Sequence, residues 1–198
     1  RYLNEKLDKI YTVDDNLFTI LHHLNGSSEW DLKFLGMQIM VEGLALGVFG
    51  TFYKFTKEPL LKELLKGVIA DEARHVHYGV IALADYYTKE APENIRRERE
   101  DWAYEVAVLL RNRFMFKELY EEFFAHKTSW RNWVDIITNS TIMQEFRLTL
   151  FSRLIPNLKR IGLLSDRIRP RYEKIGLLKY EHGESADRLS LEELIGAA

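Results

Sequence analysis

Apolar residues recur along this chain at intervals of three and four. No stretch shows the strict alternation of a half-buried strand, so the pattern predicts helices nearly throughout. A short helix carries Leu17, Phe18 and Leu21, with Asp14 or Asp15 as its cap, and stops at Asn25-Gly26. Ser27 or Ser28 then opens a long helix with Glu29 and Asp31 in its first turn, where the helix dipole favours acids. Its stripe reads Phe34, Leu35, Gln38, Ile39, Glu42, Leu46, Phe49, Tyr53. After a break at 56–59, with Pro59 near the new N-terminus, a second long helix carries Leu61, Leu64, Leu65, Val68, Glu72, His75, Gly79 and Ala82, ending before Ala91-Pro92. A third helix is expected over 94–124, with Trp102, Val106, Leu109, Leu110 and Phe114 inward. A fourth is expected over 130–154, stopping before Pro156. Ser190-x-x-Glu193 reads as a capping box.

Chemistry enters where these stripes carry charge. Glu72 and His75 are spaced i, i+3 and share one helix face, and Glu42 lies in the apolar run Q-I-M-V-E-G-L-A-L-G-V-F-G. Glu42 lies as many residues before Lys57 as Glu72 lies after it. With each residue adding about 1.5 Å, an antiparallel pair turning near Lys57 sets both carboxylates at one height. A carboxylate on an apolar stripe costs several kcal/mol unless compensated, roughly 2–7 by the usual transfer scales. A cation is the natural compensation, and iron or manganese suits a mixed carboxylate–imidazole set. Asp71 and Arg74 flank the pair; Asp71 is expected to accept from a metal-bound His75 and fix its orientation. The small residues Gly43, Ala45, Gly47 and Gly50 would let a neighbouring helix or a substrate come close.

Composition narrows the alternatives. The absence of Cys excludes disulfides, thiolate metal sites, iron–sulfur clusters and cysteine nucleophiles, and fits a reducing, cytoplasmic setting. A net charge of −2 gives no global field for nucleic acid or an anionic membrane. With 11 Gly and 4 Pro in 198 residues, long uninterrupted helices and one domain with a sizeable core are expected. No run is expected to reach the roughly 20 apolar residues of a membrane helix, and no secretory signal opens the chain. The text starts at Arg1, mid-pattern, so an upstream segment is expected.

The runs V-E-G-L-A-L-G-V-F-G and D-E-A-R-H-V-H-Y-G resemble the second helix pair of ferritin-like carboxylate di-iron proteins, a group that includes the ribonucleotide reductase small subunit and bacterial di-iron oxygenases. The resemblance covers roughly residues 28–90. It implies a ferritin-like bundle with additional C-terminal helices, and Glu42, Glu72 and His75 as metal ligands of a di-iron (or Fe/Mn) centre. It further implies O₂-dependent oxidation of a small organic substrate, a reductase partner and a homodimer. The family's other Glu and Glu-x-x-His normally lie upstream; here none of His22, His23, His77, His126 or His182 has a Glu three positions before it. The missing ligands are expected from upstream or from another chain, Glu105 and Glu145 being the nearest substitutes within this one.

The remaining features have plainer readings. Glu122 and His126 form a solvated pair, His77 packs or hydrogen-bonds, and Tyr53, Tyr78 and Trp30 pack in the core. Lys and Arg crowd 153–174 as a solvated amphipathic helix or a contact for an anionic partner. Two rival functions stand beside the oxygenase: iron oxidation, storage or peroxide removal, and a non-catalytic helical scaffold with a degenerate site.

Overall fold

The computed structural model describes residues 5, 6, 13–190 and 193. The described residues form helices and no strand, so the all-α expectation holds. Helix α1 spans Asp15–Gly26, and its cap is Asp14, whose carboxylate accepts from the Leu17 N–H at 2.9 Å. Helix α2 spans Trp30–Phe55 and includes a π-helical segment over Leu35–Val41. Helix α3 spans Pro59–Asp85; Glu58 caps it, and it leaves through a wide turn, Tyr86–Glu90. Helices α4 (Glu93–Arg113), α5 (Lys117–Phe123), α6 (Trp130–Asn139), α7 (Thr141–Arg160) and α8 (Arg169–Lys174) follow.

Helix α2 is the centre of the bundle. It packs along α3 on one side and α7 on another, while α4 reaches its π-helical segment. One contiguous core runs from Ile20 and Leu24 through Leu35, Ile39, Ile69, Val76 and Leu110 to Leu154 and Tyr172. Two glycines set how closely the helices approach. A Cβ on Gly47 would lie 2.9 Å from the Thr149 carbonyl oxygen, and one on Gly79 would lie 2.5 Å from the Gln38 Cβ. The small residues of α2 therefore serve helix packing: Gly47 faces the α7 backbone and Gly43 faces Asn157. Helix α2 is also long and apolar enough to cross a membrane, contrary to the expectation from the sequence. About half of that apolar segment is buried inside the bundle, which is what a helix packed between two others requires.

Three further expectations are corrected. The third helix ends at Arg113, because Phe114 turns inward against Phe146 and Phe116 takes a left-handed φ of 53°. The fourth is two helices, broken at Ser140. Arg147 caps the end of α6 by donating to the carbonyls of Ile137 and Thr138. Helix α7 continues through Pro156, since the turns around it carry the fully buried Leu154, Ile155 and Leu158.

The segment 153–174 is not one solvated helix. Arg167 donates to Glu100 and Asp101, Arg171 to Asp101, and Arg160 to Asp187, and Arg169 pairs with Glu181. This basic stretch is absorbed by acids of its own chain. At the far end, Ser190 and Glu193 exchange the reciprocal bonds of a capping box.

Candidate metal centre

Helices α2 and α3 bring Glu42 and Glu72 to the same imidazole. The His75 Nδ1 lies 3.6 Å from Glu42 Oε2 and 3.5 Å from Glu72 Oε2. One ligand atom from each of the three residues falls within 4.8 Å of the others. The equal spacing of both glutamates from the helix turn, read from the sequence, is what the packed pair realises.

The local backbone at Glu42 is unusual. Its N–H donates to the Met37 carbonyl, five residues back, closing the π-helical segment. That one-residue excess rotates everything after it relative to the first part of α2 and so sets the direction in which Glu42 leaves the helix. Nothing in M-Q-I-M-V marks the excess, because an apolar stripe accepts an added residue without losing its apolar character.

The two carboxylates are poorly compensated. Oε2 of Glu42 and Oε2 of Glu72 are each buried without a hydrogen-bond partner. Burial, and then the charge of Glu72, raise the Glu42 carboxyl above its ordinary pKa; His75 offsets this in part. His75 itself is more than half exposed, with 57% of its side chain accessible, so the cluster opens outward on one side.

Phe52, Phe55, Leu60, Leu64, Tyr78 and Ile81 are also exposed along α2 and α3, Tyr78 one turn beyond His75. Of the stripe expected on α3 only Leu65 and Gly79 are buried, while Leu61, Leu64 and His75 face out; the face that packs inward also carries Ile69, Val76, Val80 and Leu83, which the stripe left out.

The other residues singled out from the sequence lie elsewhere. Asp71 accepts from Arg74, both well exposed, so its expected bond with His75 is replaced by a pair on the outer face of α3. Glu105 and Glu145 are exposed and do not join the cluster. His77, His126 and Glu122 are exposed, as are His22 and His23, which lie against Phe18 and Trp102. Trp30 and Tyr78 are exposed rather than core, though each lies against another ring, Tyr86 and Phe34 respectively.

A second carboxylate site escaped the sequence reading. Asp31, expected only as a first-turn acid favoured by the helix dipole, is buried; it accepts from Arg99 Nε at 2.8 Å and from the Tyr87 hydroxyl at 3.0 Å. Arg99 also pairs with Glu29 and Glu98 and is 1% exposed. The only signal was its position: in E-N-I-R-R-E-R-E-D-W, Arg99 lies four residues before the buried Ala103, on the inward face.

No protein-family model matches the chain, and neither the curated proteins nor the solved structures include a detectable relative.

Proposed function

We propose that Glu42, Glu72 and His75 hold one side of a dinuclear iron centre (or its Fe/Mn variant) in a ferritin-like oxidoreductase that uses O₂ to oxidise a small organic substrate. One observation carries the reading. Two glutamates from different helices each direct a buried, unpartnered oxygen at the same imidazole. Such a set is costly as it stands and is relieved by a divalent cation.

The residues present fit the group: two carboxylates and one imidazole are a hard-to-borderline donor set suited to Fe(II) or Mn(II). When bound, the metals supply the redox chemistry that activates O₂. This chain's share is to place the donors and keep bulk water from them. The buried Ile39, Met40 and Leu46 dry the wall behind Glu42. The remaining carboxylate and imidazole ligands come from upstream sequence or another chain. A reductase, a homodimeric assembly and a cytoplasmic setting belong to the same proposal.

The test is metal content per chain after anaerobic Fe(II) loading, for the intact protein and for Glu72→Ala. Iron bound above background and lost in the variant is the expected result; no iron in either leaves a helical scaffold with a degenerate site. Substrate-dependent O₂ consumption then separates the oxygenase from an iron-storing or peroxide-removing protein.

A further inference from the structure

A second concavity lies away from the glutamates, where α4 ends and α6 and α7 meet the segment 175–180. It encloses about 870 Å³, and none of Glu42, Glu72 and His75 lines it. Among the described residues its charged lining is of one sign: Arg111, Lys117, Arg147 and Lys179, without Asp or Glu. Trp130, Val134 and Phe151 give it an apolar wall.

The two arginines are incompletely used. Each has a buried Nε without a hydrogen-bond partner. Arg147 spends its terminal nitrogens on the Ile137 and Thr138 carbonyls, which accounts for its presence as a helix cap. Among the described residues, Arg111 donates only to the side chain of its neighbour Asn112, at 3.4 Å. Burial holds Arg147 below its ordinary pKa; Tyr180 offsets this in part, and the like charge of Arg111 adds to it. Glu121 pairs with Lys117 at 3.6 Å. The ends of α4 and α6 contribute roughly half a negative charge each. Among the described residues, about two positive charges therefore remain without a counter-charge.

We propose that this cavity binds an organic anion, a carboxylate or phosphate carried on an apolar body, with Arg111 gripping the charged end, Arg147 adding its charge from the wall, and Trp130 and Phe151 covering the apolar end. Guanidinium groups suit this task because their planar donors match two oxygens of one anion. A volume of this size accommodates an ordinary small molecule. The site is independent of the metal reading and stands or falls without it.

Calorimetric titration with phenyl phosphate, benzoate and inorganic phosphate tests it, with ionic strength held constant by KCl so that general screening is equal in every cell. Phenyl phosphate or benzoate is expected to bind once per chain, at least about tenfold more tightly than inorganic phosphate, because only the former reach the apolar wall. Arg111→Gln is expected to weaken that binding by about tenfold or more while leaving the thermal midpoint of the free protein unchanged or raised, since it removes a repulsion. Lys179→Gln, at an exposed position, is expected to weaken it less. Absence of binding by all three probes overturns the proposal. So does unchanged affinity in Arg111→Gln, and so does equal affinity for phosphate and phenyl phosphate, which would mean an adventitious ion only.

Discussion

Helix α2 carries two acids drawn into the bundle, the buried Asp31 and the half-buried Glu42, and the bundle treats them in opposite ways. Asp31 is closed in by Arg99 and Tyr87; burial alone would raise its pKa, but those partners outweigh it and hold the carboxyl below the usual range. Glu42 meets a second carboxylate instead of a cation, and its pKa is raised. The first site is electrostatically complete and ties α2 to α4. The second is incomplete and opens to solvent at His75. An acid buried with its counter-charge is structural; an acid buried against another acid asks for something further.

The largest expected effect breaks the complete site. Arg99→Met leaves Asp31 buried without its cation and should cost roughly 3–5 kcal/mol of stability. Urea unfolding measures this, and adding Asp31→Asn should restore much of the loss. If Arg99→Met were as stable as the parent, the network would be ornamental.

Glu42→Gln should act in the opposite direction. In chelator-treated protein it removes an uncompensated charge and should raise stability by about 1 kcal/mol, while abolishing metal uptake. Thermal unfolding with and without Fe(II) separates the two effects. A destabilised, metal-binding variant would count against the centre.

The same contrast should appear in the pH dependence of stability. Asp31, lowered in the folded state, stabilises above its unfolded pKa; this contribution fades as pH falls through its folded value, below about 4. Glu42, raised in the folded state, contributes fully below its unfolded pKa and loses that contribution as pH rises through its folded value, above about 4.5. Thermal midpoints across this range should show a flatter acid limb in Asp31→Asn and a flatter limb above it in Glu42→Gln.

The smallest effect concerns the exposed pair beside the open cluster. Arg74→Ala or Asp71→Ala should change stability by less than about 0.5 kcal/mol. Asp71→Asn should also leave Fe(II) affinity unchanged. A fall of roughly tenfold or more would return Asp71 to an orienting role toward His75.

Much of the site was legible because its information is local. Glu72 and His75 share a face by spacing alone, and Glu42 reaches them because the turn lies midway between the glutamates. What was missed depends on contacts between distant segments. The break at Phe114–Phe116 has no Gly or Pro to announce it and follows from packing on Phe146. The break at Ser140 did have a signal, the polar run Thr138-Asn139-Ser140-Thr141, which the apolar periodicity on either side obscured. The basic stretch 153–174 looked solvated because its acids, Glu100 and Asp101, lie some seventy residues upstream in the chain.

The sequence by itself determined the helical class, the cap in the Asp14-Asp15 pair, the start of α3 at Pro59, the antiparallel α2–α3 pair and the meeting of Glu42 with Glu72 and His75, since period, capping and loop position are properties of neighbours in the chain. Only the tertiary structure decided which charges are satisfied. Arg99 reaches Asp31, Arg167 reaches Glu100, and nothing comparable reaches the second oxygens of Glu42 and Glu72. Whether a buried charge finds a partner depends on which distant side chains share its dry volume, and no period in the sequence encodes that.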